Sequence, residues 1–333
     1  MSSNAPSAHP RDQSILSLDG GGIRGLSSLQ ILKQLMEQVN YERDDMGLQP
    51  VKPCDIFDLI VGTSTGGGII AIMLGRLQMD VSECIEVYEK LAKQVFGKQI
   101  SAWRQLSDAV AKREIKAKFD SEQLKTEILD IISQRFPGED PQDIPLENSD
   151  GNVKCKVPGQ ITTSTIVQAA LATSAATGYF DPVTIQQETF IDGAMRANNP
   201  VQETLDEIQA ILKLSMTDAA VESCVKCVVS IGTGHPGLLE ISGDPFKVLQ
   251  KSLVAIVTET EGTAEKFSLR HESLMDGGRY FRFNVTHGLE AVGLEEWNKT
   301  PHVTAVTREY LRKQKRPFAS CVRSLTDQEG RST

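Results

Sequence analysis

The chain has 333 residues, 40% hydrophobic and 24% charged, a balance that supports a large packed core and argues against intrinsic disorder. A formal net charge of −9 argues against a nucleic-acid partner. No apolar run reaches the about 18–20 residues that span a bilayer, and the polar N-terminus lacks a basic-then-apolar leader; the expectation is a cytoplasmic protein, not secreted, with any membrane contact peripheral.

Residues 1–12 are expected to form a flexible arm, 13–312 a single domain and 313–333 a flexible tail, basic and then polar. Ile15 to Leu18 reads as a strand ending at Asp19 and the run Gly20-Gly21-Gly22. Leu29, Leu32, Leu35 and Val39 then repeat at helical spacing. A second buried strand is expected over Ile56 to Val61, ending at Gly62, with a helix starting just after Ser64 and running through Leu74. Ser82 stands before a helix with Ile85, Tyr88, Leu91 and Val95 on one face, and Asp120 or Ser121 caps another. Residues 136–160 are rich in Pro, Gly, Asp and Asn and read as a loop. Thr189-Phe190-Ile191 is a short apolar stretch before Asp192-Gly193-Ala194. Asn199-Pro200, Asp244-Pro245 and Thr300-Pro301 each put a cap before a proline. Strands alternating with helices predict an α/β fold, a mainly parallel sheet covered on both faces in three layers.

The six cysteines are too sparse for a disulfide framework. Cys224-x-x-Cys227 opens the apolar run Val225 to Ile231, which reads as a core strand, and no second pair completes a zinc site. No metal and no cofactor are expected.

Three segments carry chemistry. Gly62-Thr63-Ser64-Thr65-Gly66, between a strand and a helix, has the pattern of a nucleophile elbow, where small flanking residues let strand and helix approach and the serine stands out from a sharp turn. Ser64 also lies at a helix N-terminus, which favours negative charge. A serine hydroxyl needs a base. The histidines, His9, His235, His271, His287 and His302, lack a glycine-rich strand-end setting; His235, after Ile231-Gly232-Thr233-Gly234, comes nearest to one. Asp192, with small neighbours Gly193 and Ala194, is the better candidate, able to take the proton directly from about 2.6–3.2 Å. The N–H groups of Gly20, Gly21 and Gly22, with that of Thr65, are candidates to hold an oxyanion. Asp19, Arg24 and Gly25 complete the first segment, Arg24 either bracing the loop or attracting an anionic head group. Ile69, Ile70 and Met73 are candidates for an acyl-pocket floor or for plain core.

Gly20-x-Gly22-x-x-Gly25 also fits the dinucleotide fingerprint. That reading requires an acidic residue ending a second strand about 20 residues on, where Tyr41 to Asp45 reads instead as a helix end, and it leaves Ser64 and Asp192 unexplained.

Together, Leu18 to Leu26, Val61 to Gly67 and Ile191 to Ala194 resemble the patatin-like phospholipases, as do Ala172-Thr173-Ser174-Ala175-Ala176, Tyr179-Phe180-Asp181-Pro182, Asn198-Asn199-Pro200 and Ser230 to Gly234. The resemblance implies a patatin-like domain that hydrolyses acyl esters of phospholipids or glycerolipids without a metal, through a Ser–Asp dyad, Ser64 and Asp192, and an acyl-enzyme. In one respect the chain departs from the pattern. Lys154 to Val157 leads through Pro158-Gly159-Gln160 straight into Ile161 to Ser164 and a helix, where such proteins carry a further strand and loop. A sheet short of a strand, in a catalytically impaired lipid-binding or regulatory relative, is therefore the alternative expectation.

Overall fold

The computed structural model describes residues 13–97, 117–147, 154–156, 164–212, 217–235 and 260–326. Among the described residues five strands form one sheet in the order β3-β2-β1-β6-β7: β1 is Gln13–Leu18, β2 Leu59–Gly62, β3 Lys154–Lys156, β6 Val225–Ile231 and β7 Tyr280–Phe283. Every pairing in it is parallel, with Leu18 opposite Gly62 on one side and Ile231 on the other. The remaining two strands, β4 (Val183–Ile185) and β5 (Glu188–Phe190), form a separate antiparallel hairpin.

Alternation along the strands explains the layering. Leu16, Leu18, Ile60, Cys227, Val229 and Ile231 point into one buried cluster, while Ile15, Leu59, Val61, Val225 and Val228 point into another. Successive strand side chains face opposite sides, so apolar residues at consecutive positions mean a sheet covered on both faces. The first cluster packs under the helices Gly25–Asp45 and Val81–Phe96, the second under Val201–Leu212. The result is the expected three-layer α/β/α architecture.

Several local expectations are corrected. Pro53–Ile56 is a helical turn, started by the proline and by Asp55, which accepts the Lys52 N–H at 2.7 Å; strand β2 therefore begins at Leu59. Asp80, not Ser82, caps Val81–Phe96, accepting the Glu83 N–H at 2.9 Å. Asp120 does cap Ser121–Arg135. The stretch before Asp192 belongs to the hairpin rather than to the main sheet, and its faces are largely exposed. Thr300 opens its helix, with Lys299 before the first turn.

The flexible tail expected over 313–333 is also corrected within its described part. Lys315–Thr326 is a helix whose Phe318, Cys321, Val322 and Leu325 are buried. Their spacing puts one apolar stripe against the first core cluster, a periodicity masked by the basic residues around it. Lys226 anchors the helix end, donating to the Leu325 carbonyl at 2.7 Å. The expected arm at 1–12, His9, the cap at Asp244-Pro245 and residues 327–333 lie outside the described residues. Within the loop expected over 136–160, Lys154–Lys156 forms β3, a short edge beside β2; residues 157–163, where the further strand was expected to be missing, lie outside the described residues.

Candidate active site

The site lies beyond the C-terminal ends of β1, β2 and β6, where parallel sheets leave a crevice. Ser64 follows β2 at a φ of 60°, a left-handed conformation uncommon for a residue with a side chain. The helical segment it begins, 64–76, starts and ends with wide π-type turns, and the Leu77 N–H reaches back to the Ile72 carbonyl at 2.9 Å. The turn is held by Thr173, whose hydroxyl accepts the Ser64 N–H at 2.9 Å, and by the Thr63 hydroxyl, which donates to the Ala197 carbonyl at 2.7 Å.

The structure brings Ser64 and Asp192 together across 128 positions of chain: Ser64 Oγ donates to Asp192 Oδ2 at 2.7 Å. The other carboxylate oxygen accepts the Ala194 N–H at 2.7 Å, and the Asp192 N–H donates to the Ala175 carbonyl at 3.0 Å. Gly193 leads into the short helix Ala194–Ala197, and its carbonyl accepts the Arg196 and Ala197 N–H groups. Burial pushes the Asp192 carboxyl up to about 6, although the bonds from Ser64 and Ala194 pull against it.

The glycine loop rests on the elbow. A methyl on Gly25 would stand 2.3 Å from the Gly66 carbonyl oxygen, and one on Gly66 would stand 2.6 Å from the Gly21 nitrogen, so neither position has room for a side chain. Gly22 has a φ of +53°. The loop's carbonyls are each engaged: Gly20 O accepts the Thr233 hydroxyl at 2.7 Å, Gly21 O the Arg24 N–H at 3.2 Å, and Gly22 O the Tyr88 phenol at 2.6 Å. Tyr88 also reaches the Thr65 carbonyl at 3.3 Å, tying the loop to the elbow. One expected donor is corrected. The Gly20 N–H is given to the Asn198 carbonyl at 2.9 Å and is not open to a ligand.

Asp19 does not enter the pocket. Arg282 on β7 grips it with both Nη atoms, at 2.9 and 2.6 Å, and the same guanidinium reaches Ser230 on β6 and Glu261. Burial lifts Asp19 to about 6, and the arginine fork keeps it ionised at neutral pH. Arg24 is buried beneath the loop; its Nε has no hydrogen-bond partner among the described residues, and burial pushes the group down to about 10.

The described histidines sit elsewhere. His271 meets Glu222 at 2.6 Å, His302 meets the Gly288 carbonyl at 2.8 Å, His287 pairs with Glu290, and the His235 N–H donates to the Val285 carbonyl. Among the described residues no group of three or more His, Cys, Asp or Glu is placed to hold a metal.

Ser64, Thr65, Gly21, Gly22 and Asp192 share a pocket with apolar walls from Phe96, Ala176, Tyr179, Phe180 and Leu294. Phe96 and Phe180 lie 6.1 Å apart, both packed on Phe119. Ile69, Ile70 and Met73 are core residues and do not line this pocket. Sequence reasoning missed Thr173, Thr233, Tyr88 and Arg282. Thr173 and Thr233 fall in stretches that resemble the family; Tyr88 had only its place on an apolar helical face, and Arg282 carried no signal.

An α/β domain with a serine on a strand–helix turn against a buried aspartate, beside a glycine loop, defines the class. The sequence profile of the patatin-like phospholipases matches residues 16–205, and the chain belongs to that family. It is 28% identical over 293 residues to calcium-independent phospholipase A2-gamma of Rattus norvegicus, covering 81% of this chain and 34% of that one. Phospholipase A I of Arabidopsis thaliana is 25% identical over 385 residues (94% and 28%), and the 85/88 kDa calcium-independent phospholipase A2 of Mus musculus 25% over 348 (93% and 40%). The chain thus spans well under half the length of these relatives.

Proposed function

We propose that this protein hydrolyses carboxylic esters of phospholipids or related glycerolipids, with Ser64 as nucleophile and Asp192 as its base. The observation that carries this is the 2.7 Å bond from Ser64 Oγ to a buried carboxylate made more basic by its dry setting. Ser64 attacks the acyl carbonyl while its proton passes to Asp192, which returns it to the departing alcohol. Water then cleaves the acyl-enzyme, with Asp192 again as base.

The oxyanion is assigned to the N–H groups of Gly21, Gly22 and Thr65. In a trans peptide the N–H points opposite to the preceding carbonyl. The carbonyls of Gly20 and Gly21 are held by Thr233 and by the Arg24 N–H, so the next two N–H groups face the other way. Gly20 itself serves as a spacer of the loop. The pocket of Phe96, Tyr179 and Phe180 suits an acyl chain. Ile191 and Met195, about half exposed on either side of Asp192, suit peripheral contact with a lipid surface. No described helix is long and apolar enough to cross a membrane.

Ser64→Ala tests the assignment. It is expected to lower fatty-acid release from phosphatidylcholine at least about a thousandfold and to abolish labelling by a fluorophosphonate, with the fold intact by circular dichroism. Turnover surviving in that variant removes Ser64 from the mechanism. A wild-type chain that binds lipid but takes no label is a lipid-binding scaffold instead.

A further inference from the structure

Two adjacent asparagines have opposite surroundings. Asn199 is fully used: Nδ2 donates to the Thr260 carbonyl at 3.0 Å, and Oδ1 accepts the Val201 N–H at 3.2 Å, capping the helix Val201–Leu212. Asn198 employs only its main chain, in the bond from Gly20. Its side chain is 6% exposed, and neither Nδ2 nor Oδ1 has a hydrogen-bond partner among the described residues. A buried amide left unpaired is costly, and folded proteins seldom keep one without a use for it.

The position of this amide indicates the use. Asn198 and Ala194 line the Ser64 pocket and also a second groove, more polar than the first, formed with Met195, Arg196, Gln202, Glu203 and Thr263. A methyl on Gly20 would stand 2.2 Å from Asn198 Oδ1 and 3.1 Å from Ser64 Cβ, so carboxamide and nucleophile flank the same point of the loop. The nucleophile therefore sits beside an apolar pocket, with an unpaired amide where the more polar groove begins.

We infer that Asn198 contacts substrate on the leaving-group side. Oδ1 is the atom nearer Gly20, and since neither amide atom is bonded among the described residues the carboxamide turns over freely; with substrate bound its Nδ2–H donates to the alkoxy oxygen of the ester held at Ser64, and the groove beyond takes an oxygen-rich alcohol such as a glycerol phosphodiester. This rests on the reading of Ser64 as nucleophile. The Ser64 Oγ–C bond forms as the carbonyl oxygen takes the negative charge; as that oxyanion collapses the C–O bond to the alcohol breaks, and the proton taken by Asp192 goes to the departing oxygen, while Asn198 keeps its own hydrogens. A glycerol alkoxide leaves poorly, so a donor aimed at it strengthens as charge develops. A nitrophenolate leaves readily and brings no polyol into the groove.

The test compares kcat/KM for dihexanoyl phosphatidylcholine below its micellar concentration with that for p-nitrophenyl hexanoate, in wild type, Asn198→Ala and Asn198→Ser. The phospholipid-to-nitrophenyl ratio is expected to fall at least about tenfold in Asn198→Ala. Asn198→Ser, which keeps a shorter donor, should fall between and serves alone if the alanine variant fails to fold. Both should still take a fluorophosphonate, with an unfolding midpoint no lower than wild type, since no side-chain hydrogen bond among the described residues is lost. A ratio held within about threefold in an enzyme that labels overturns the role of Asn198 alone. A wild-type chain that neither labels nor cleaves either ester overturns the hydrolase reading, and this inference with it.

Discussion

Asp192 is a residue whose usefulness opposes its stability. In an unfolded chain its carboxyl titrates near 3.8; in the fold, burial raises it to about 6. Stability from such a group is fully present below the lower value and lost as pH rises through the upper one. At pH 7.5 the fold therefore carries a dry negative charge costing on the order of 3 kcal/mol. Asp192→Asn should raise the urea-unfolding free energy at pH 7.5, and the gain should shrink towards zero as pH falls to 4. The same variant should lose at least about a hundredfold in esterase rate. In wild type kcat/KM should rise with pH through about 6, as the base becomes unprotonated. A loss of stability in Asp192→Asn at pH 7.5 would show that the carboxylate is held more favourably than its burial implies. Ser64 and Asp192 were legible in the sequence because each stands in a small-residue turn. Asn198 was legible only as part of a familiar stretch: that its amide lacks a partner depends on the path of the glycine loop.

At the scale of elements, the helix Lys315–Thr326 marks where sequence reading stopped short. Five basic residues among Arg312, Lys313, Lys315, Arg316 and Arg323 surround an apolar stripe that only the packed structure brings out. Phe318, against Phe283 of β7 with ring centres 4.5 Å apart, is its main anchor. Phe318→Ala should cost about 3–5 kcal/mol in urea unfolding. A cost under about 1 kcal/mol would mean the helix contributes little to the core. The parallel strands were easier to foresee, since β1 and β6 hold apolar residues at consecutive positions and glycines follow within two residues of their ends. The start of β2 was misplaced because Ile56 is apolar yet belongs to a turn set by Pro53 and Asp55. The hairpin before Asp192 was missed as such because three residues of strand give too little pattern to assign a sheet.

At the scale of the molecule, Arg282 links three adjacent parallel strands, binding Asp19 after β1, Ser230 on β6 and Glu261 from its own place on β7. Removing the guanidinium leaves a buried carboxylate uncompensated, which typically costs about 3–5 kcal/mol. Arg282→Met should lose that much in denaturant unfolding and also slow ester cleavage, because Asp19 precedes the glycine loop. Unchanged stability would mean that Asp19 takes up a proton and needs no cation. No pattern of spacing announced this link, since its two ends lie 263 positions apart.

One phenolic hydroxyl, that of Tyr88, spans Gly22 and Thr65 from a helix that supplies no reacting group. Eight residues on, the same helix offers Phe96 to the wall beside Ser64. A single rigid rod therefore sets both the spacing of the glycine loop from the Ser64 turn and the bore of the pocket next to it. A sideways slip of that rod would alter the two together, so the machinery's calibration is stored in interior packing well outside the three segments that advertise it.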